Sequence, residues 1–456
     1  MPAGPTSTQD AFREESDEAL RVAALEEAEA ISPPIEPGTL EMPRVIRALR
    51  HRNFRYFWVG NFLSNIGTWM QSVAQGWLVL VLASKAPPVL FGSVEQRGAF
   101  WLGLVAFAAS APMLAFTLIG GVIADRVDKR RLLIRTQSVM MLSAFTLSVL
   151  TFTKHVNIPE IVLLAFLTGT AMSLNMPGYQ ALVPSLVPRE DLTNAIALNS
   201  AQFNMSRVLG PTLGGFIMAW WGIPANFLLN ALSFLAVIIA LTQIEYPAPA
   251  QQNDSAGLWQ RLGEGFRYVL ERRQMSSLIL LVALASIFGV PFLMFIPLFA
   301  KDILHVGERG LGLLMACSGA GAFLGASTIA YLGKIKDRGR FVVISASVFF
   351  AAIIAFTFSR HFALSGAMLA IAGYCMILTV ANVNSLLQHL ADDSMRGRVM
   401  SIYATAFLGF APVGSLIAGS LAGIITAPIA IAGMSALALV GTWALYFSRK
   451  ELRHLD

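Results

Sequence analysis

The stretch Gly120-Gly121-Val122-Ile123-Ala124-Asp125-Arg126-Val127-Asp128-Lys129-Arg130-Arg131 connects two apolar runs of the chain. Its two glycines permit two helices to approach closely, and its basic residues hold a loop in the cytosol by the positive-inside rule. The Asp125 carboxylate can accept hydrogen bonds from the N-terminus of a neighbouring helix or pair with a cation. We therefore predict a tight cytoplasmic loop between two membrane helices.

A second copy of this pattern lies about half a chain further on, at Gly333-Lys334-Ile335-Lys336-Asp337-Arg338-Gly339-Arg340. Both copies contain Gly-x-x-x-Asp-Arg. The repeat also extends beyond the loop, because the run from Gly169 to Pro211 matches the run from Gly373 to Pro412 after a small gap. The chain is therefore predicted to consist of two similar halves.

Composition indicates a membrane protein. Hydrophobic residues make up 55% of the chain and charged residues only 13%, which is far from the balance of a soluble globular domain. The net charge of +6 is spread over short loops between apolar runs, so it favours membrane topology over binding to nucleic acid. Cys317 and Cys375 both lie in apolar runs and are interpreted as packing residues.

The apolar runs predict an all-α membrane protein with twelve transmembrane helices in two six-helix, pseudo-symmetric bundles. The spans of the first half are predicted at 57–82, 99–123, 136–152, 161–182, 195–220 and 224–244. Those of the second half are predicted at 278–299, 311–332, 341–358, 364–387, 399–424 and 429–447.

The spans divide the chain into five segments. Lys and Arg concentrate in the loops on the N-terminal side, which predicts a multi-pass protein of the cell membrane with both termini in the cytosol. The segments are a disordered acidic tail (1–43), an N-terminal bundle (44–245), a linker with an amphipathic helix (246–274), a C-terminal bundle (275–449) and a C-terminal tail (450–456).

The two loop copies, the six-plus-six layout and Gly210-Pro211-Thr212-Leu213-Gly214-Gly215 resemble the major facilitator superfamily. Two further motifs, Asn65-Ile66-Gly67-Thr68-Trp69-Met70-Gln71 and Asp392-Asp393-Ser394-Met395-Arg396-Gly397-Arg398-Val399, are similar to its enterobactin-exporter-like and macrolide-efflux-like branch. The resemblance covers about 44–449. It implies export of a small molecule from the cytosol by alternating access.

The chain departs from the superfamily pattern at three positions. Asp128 stands where the loop motif usually has glycine, Ala165 where an arginine is often found, and Ser206 where the antiporter pattern has glycine. The resemblance implies proton-coupled antiport, but the predicted spans contain no Asp or Glu to carry the proton. A facilitator, or a transporter of a lipid or metabolite without proton coupling, is the alternative.

Two motifs are expected to control opening and closing. We predict that Asp125 latches the second span to the eleventh when the cytoplasmic side is shut. The Gly210-Pro211 pair has two interpretations, a functional bend or close helix packing with a tolerated kink. The predicted gating residues are Gly121, Asp125, Arg126, Arg130, Asp337, Arg338, Gly210 and Pro211.

Polar residues at steps of three and four form one stripe on the first span, which predicts a neutral, amide-rich cavity between the bundles. Hydrogen bonding between helices is the alternative. The predicted substrate-binding residues are Asn65, Gln71, Gln75, Asn175, Gln180, Arg207, Asn382 and Asn384. Their expected aromatic neighbours, Trp69, Tyr179, Phe203 and Phe295, favour a bulky amphipathic substrate.

Arg207 is the one formally charged residue within the predicted spans. An intramembrane cation is costly, so it should face a cavity or find an acceptor, and snorkelling to the membrane surface is the alternative. We predict that it contacts an anionic or carbonyl-rich substrate or pairs with cavity amides.

No catalytic, cofactor or metal site is predicted. The histidines are scattered, and phosphate-binding loops for ATP are absent from the sequence. The expected partners are a small-molecule substrate and the lipid bilayer, with proton coupling but no nucleic acid, and a monomer is expected. A polytopic membrane enzyme or scaffold is the interpretation from another class.

Overall fold

The computed structural model describes residues 44–85, 93–126, 128–244, 258–332 and 337–454. Short 3-10 turns precede the first helix, at Arg44–Arg50, and lie between the fourth and fifth, at Val183–Ser185 and Arg189–Asp191. The long helices of the first half are α1 Arg52–Lys85, α2 Val94–Arg126, α3 Lys129–Phe152, α4 Ile158–Leu182, α5 Leu192–Trp221 and α6 Ile223–Gln243.

The second half begins with the shorter helix α7, Leu258–Glu271, in the predicted linker. It buries Tyr268 and Val269 and exposes Phe266 and Leu270, as an amphipathic helix should. The helices that follow are α8 Arg273–Ile303, α9 Gly307–Leu332, α10 Arg338–Phe358, α11 Phe362–Leu390, α12 Arg396–Ile424 and α13 Ala427–Ser448.

The helices confirm the predicted fold class. In the part of the chain that the structure describes, eleven helices are long and apolar enough to cross a membrane. The predicted fifth span is the 30-residue helix α5, which falls outside that group. Its polar residues lower its hydropathy, because Asn199, Gln202, Asn204 and Arg207 all lie within it.

Among the described helices, two contain π-helical segments. In α8 these are Ala285–Gly289 and Phe299–Ile303, and in α12 the segment is Thr405–Gly409. The Ser286 hydroxyl donates a 2.6 Å hydrogen bond to the Phe407 carbonyl, so one π segment of α8 contacts that of α12. Such segments widen the helix and leave backbone groups free for outside partners.

Each half packs as a bundle of its own. In the first half α1 lies against α5 and α6, α2 against α4, and α3 against α4 and α6. In the second half α9 lies against α11, α10 against α11 and α13, and α12 against α13.

The two bundles meet where α2 crosses α12 and α5 crosses α9. Both crossings depend on glycine. A Cβ atom added to Gly103 would lie 2.6 Å from the Gly419 Cα atom, and one added to Gly215 would lie 2.8 Å from the Gly312 Cα atom. Helix backbones can approach this closely only where side chains are absent.

Further contacts join the bundles at the end where α1 ends and α2 begins. Gln96 Nε2 donates hydrogen bonds of 3.0 Å to the carbonyls of Ile424 and Ile425, at the end of α12. Lys301 Nζ donates to the Leu80 carbonyl at 3.2 Å and so connects α8 to α1. This end of the molecule is therefore closed.

Substituting Gly103 tests the glycine contact. Gly103→Val places a branched side chain against Gly419, and overpacking of this kind costs about 1–3 kcal/mol. Thermal unfolding in detergent should show a lowered midpoint. The matched control is Gly433→Val on α13, where an added Cβ meets nothing within 4 Å. Equal midpoints for the two variants would contradict the close contact.

Candidate functional site

A cavity of about 750 Å³ lies inside the molecule, within the size range of small-molecule sites. Helices α1 to α6 form most of its wall, and α8 and α9 contribute the rest. Gly76 of α1 and Pro297 of α8 both line it, and a Cβ atom on Gly76 would lie 3.0 Å from Pro297 Cγ. This contact lies near the closed end. From there the cavity extends to Asn61 and Asn199, which lie toward the N-terminal ends of α1 and α5.

Polar but uncharged side chains line the cavity, within a wall that is mostly apolar. Within the described part of the chain, none of its lining residues is Asp, Glu, Lys, Arg or His. Serine, threonine and tyrosine hydroxyls accompany a group of side-chain amides. The lining amides are Asn61, Asn65, Gln71, Gln75, Gln137, Asn175, Gln180, Asn199, Gln202 and Asn230.

Aliphatic, sulfur-containing and aromatic side chains form the rest of the wall. Methionine adapts to ligands of irregular shape because it is flexible and polarisable. Trp69 and Phe203 meet edge to face with ring centroids 6.4 Å apart. The lining methionines are Met140, Met172, Met176, Met294 and Met315. This mixture suits an amphipathic ligand.

Some of the amides bond to neighbouring helices. Asn230 of α6 donates a 2.6 Å hydrogen bond from Nδ2 to Gln71 Oε1 of α1. Thr136 of α3 donates from its hydroxyl to Asn175 Oδ1 of α4 at 2.9 Å. Hydrogen bonding between helices, the alternative for the polar stripe of the first span, therefore accounts for Gln71. Asn175 on α4 makes a bond of the same kind.

Tyr179 connects three helices at the wall of the cavity. Its hydroxyl accepts hydrogen bonds from Asn61 Nδ2 of α1 at 3.2 Å and from Gln202 Nε2 of α5 at 3.4 Å. Gln202 Nε2 also donates to Asn199 Oδ1 at 3.4 Å. The bonds fix the orientation of these side chains on one side of the cavity.

Most of the predicted substrate-binding residues lie together. Asn65, Gln71, Gln75, Asn175 and Gln180 all line the cavity. The prediction from sequence missed Asn61, Gln137 and Asn230, which line it as well. Asn61 lies four residues before Asn65 and Asn230 four residues after Asn226, and this helical spacing is the signal that could have identified them. Gln137 lies between Thr136 and Ser138, at the loop end of its predicted span.

Two predicted residues of the second half lie elsewhere. Asn382 and Asn384 are not among the lining residues of this cavity. Within α11, Asn382 Nδ2 donates to the Leu378 carbonyl at 2.8 Å, and Asn384 Oδ1 accepts from Gln388 Nε2 at 2.6 Å. Phe295 is also absent from the lining and is fully buried among the helices.

Arg207 stands beside the cavity without lining it. Its guanidinium carbon lies 5.9 Å from the ring centroid of Trp69, which does line it. Among the described residues, no side chain or carbonyl forms a hydrogen bond or ion pair with this guanidinium.

Gly210 and Pro211 lie in the crossing of α5 with its neighbours. A Cβ atom on Gly210 would collide with Trp69 of α1, and the Pro211 carbonyl lies 2.9 Å from the position of a Cβ atom on Gly312. Helix α5 continues through Pro211 to Trp221. These contacts favour the close-packing interpretation of the motif.

The other predicted gating residues lie at helix ends. Arg130 donates 2.6 Å hydrogen bonds to the Leu241 and Thr242 carbonyls, so its charge stabilises the C-terminal end of α6. Asp337 has a positive φ of 52° and directly precedes α10, which begins at Arg338. Helix α2 passes through Gly121 and Asp125 to Arg126, whose side chains lie outside the described part of the chain.

Two helical bundles with a cavity between them, in a chain this apolar, are the architecture of a membrane transporter. Comparison of the sequence with known protein families identifies the family of transporters. The chain matches the transmembrane secretion effector family over residues 45–456 and belongs to that family of the major facilitator superfamily. The predicted superfamily and branch are thereby confirmed.

Curated relatives match nearly the whole chain. The staphyloferrin A transporter of Staphylococcus aureus is 24% identical over 404 residues, which cover 88% of this chain and 97% of that protein. The enterobactin exporter of Citrobacter koseri is 25% identical over 391 residues, with 86% of this chain and 90% of that protein covered.

Solved structures share the fold. A bacterial homologue of the human lysosomal transporter Spinster, in an inward-facing and unoccupied conformation, superposes with a TM-score of 0.65 at 15% identity. The match covers 91% of this chain and 98% of that one. A D-xylose–proton symporter superposes with a TM-score of 0.65 at 14% identity over 87% of this chain and 97% of that one.

A double-mutant cycle tests the bond between Gln71 and Asn230. Each single change to Leu leaves one buried partner unpaired, while the double variant removes both, so the two costs should not add. We expect a coupling of about 0.6–2 kcal/mol, as for other hydrogen bonds between membrane helices. Thermal unfolding measures it. Gln388→Leu with Asn384→Leu, an exposed pair, is the control cycle and should show weaker coupling.

Proposed function

We propose that this protein is a secondary transporter that exports a small amphipathic molecule, siderophore-like or drug-like, from the cytosol across the inner membrane by alternating access. The observation that carries the proposal is an uncharged, amide-rich cavity between two bundles that is closed at one end. Relatives whose names denote siderophore transport support the substrate class.

The direction of export depends on the orientation of the chain. Arg50, Arg52 and Arg55 cluster where α1 begins, which supports a cytosolic location for that end and for both termini. In this orientation the contacts of Gln96 and Lys301 close the outer face, and the cavity extends toward the cytosol. A cytosolic substrate loads in this state.

The gates are proposed at both ends of the cavity. Opening the outer face requires Gln96 and Lys301 to release the carbonyls they hold. Closing the inner face brings the loop after α2 toward α12, where Asp125 forms its latch. Unchanged transport by an Asp125→Asn variant would contradict that latch. The further gating residues proposed are Gly121, Arg126, Arg130, Asp337, Arg338, Gly210 and Pro211.

Proton coupling is proposed from superfamily membership. The second candidate function is a facilitator without coupling, and a specific observation favours it: no titratable acid, histidine, lysine or arginine of the described chain lines the cavity.

One copy of the chain contains both bundles and the whole cavity, so we propose that a monomer is the transporting unit.

Transport by inverted membrane vesicles tests the function. Vesicles that contain the protein should accumulate a siderophore-like or drug-like compound, and vesicles without it should not. An imposed pH gradient should raise the rate if protons are coupled, whereas equal rates with and without the gradient would assign the facilitator. No accumulation of any siderophore, macrolide, lipid or metabolite would contradict the export proposal.

Arg207 is proposed to meet carbonyl oxygens of the substrate beside Trp69, because the described residues offer it no other acceptor. We expect Arg207→Gln to raise the KM for transport several-fold, since the Gln side chain lacks the charge. The matched control is Arg309→Gln, because Arg309 also lies 5.9 Å from a tryptophan ring, that of Trp220, away from the cavity. Equal KM values for the two variants would refute the role.

A further inference from the structure

The buried amides of the cavity differ in whether they have partners. Five of the lining amides are largely inaccessible to solvent, namely Gln71, Gln137, Asn175, Gln202 and Asn230. The bonds already described engage four of them. The side chain of Gln137, on α3, makes no hydrogen bond with any described residue.

The Gln137 side chain is only 5% exposed, and its Oε1 atom is enclosed without a donor. The Nε2 atom is not enclosed in the same way, so the amide faces the cavity through its nitrogen. Buried amides are normally paired, because an unpaired one loses its hydrogen bonds with water and receives nothing in return. A half-turn of the side-chain amide exchanges its donor and acceptor positions. Gln137 can therefore donate to a ligand or accept from one.

The charge of the cavity restricts the ligand further. An ionised group that leaves water needs an opposite charge or a metal ion to compensate it. The described lining offers neither, because it consists of amides, hydroxyls and apolar side chains, and Arg207 lies beside the cavity without lining it. The contact proposed for Arg207 is with neutral carbonyl oxygens of the ligand. An uncharged ligand loses far less hydration on entering such a site.

From these observations we propose that the cavity selects an uncharged amphipathic ligand with carbonyl or hydroxyl groups, and that Gln137 is a specificity-determining residue that bonds to one of those groups. The inference rests on the proposed function, because it assigns the substrate class of the same site. It adds that charge, and not size alone, decides which molecules bind.

Three probes with one scaffold test the charge selectivity. They are chloramphenicol, which is neutral, chloramphenicol hemisuccinate, which is anionic, and the deacylated amine of chloramphenicol, which is cationic at neutral pH. Their binding to the purified full-length protein in lipid nanodiscs is measured by calorimetry. We expect the neutral probe to bind at least tenfold more tightly than either ionised one. Equal or tighter binding of an ionised probe, or no binding of the neutral probe, would overturn the proposal.

Variants of Gln137 test the assignment to this residue. Gln137→Leu should weaken binding of the neutral probe at least fivefold, and Gln137→Asn should restore part of it. Gln137→Glu should raise the affinity for the cationic amine at least tenfold, because it places a carboxylate in the cavity. The matched control is Gln388→Glu, on an exposed glutamine outside the cavity. If the Gln137→Glu and Gln388→Glu variants bind the three probes with the same order of affinities as the unmodified protein, Gln137 has no role in selectivity.

The binding and transport measurements separate the two proposals. Each variant is first compared with the unmodified protein by size-exclusion chromatography and thermal unfolding, and Gln137→Asn serves wherever Gln137→Leu is unfolded. Selective binding without transport in inverted vesicles would refute export and support the neutral site. Transport that is insensitive to probe charge and to Gln137 would refute the neutral site and leave export standing.

Discussion

The two bundles are held together by backbone contact between glycines. Lipid chains are as apolar as leucine, so membrane helices gain little from apolar burial and associate through close packing and hydrogen bonds. At Gly103 and Gly419, and again at Gly215 and Gly312, no side chain separates the helices. A small movement of one helix away from the other breaks this packing. No side chains interlock at these glycines, so none has to be pulled out of a neighbouring helix when the bundles separate. The interface is therefore suited to bundles that rock against each other.

The cavity depends on that contact for its shape and on amides for its chemistry. Methionines and aromatic rings provide apolar surface, while paired amides such as Gln71 and Asn230 fasten the walls. A polar group in this setting is satisfied by another helix or by a ligand. Amide side chains therefore have two roles in this cavity. Those with a partner on another helix fasten the walls, and those without one are available to a ligand.

The sequence was sufficient for the fold and for part of the cavity. The repeated loop and the lengths of the apolar runs predicted the two bundles, and the polar stripe placed Asn65 and Gln75 on the wall. Helical spacing identifies a polar face but not the neighbour that this face meets. For that reason Asn382, which bonds back to its own helix, was indistinguishable from a lining residue. Gln137 was missed because it lies at the loop end of its span, where polar residues are ordinary.

The π segments of α8 and α12 have a mechanical consequence. A helix bends most readily where its regular hydrogen-bond ladder is interrupted, and the Ser286 hydroxyl holds the Phe407 carbonyl at such an interruption. Helix α12 thus consists of two regular helical segments that can bend where the π segment joins them. One segment rests on α2 through Gly419, and the other, at the opposite end of α12, carries the basic residues Arg396 and Arg398. Tilting the second segment about this bend displaces that end of α12 while the contact at Gly419 stays in place.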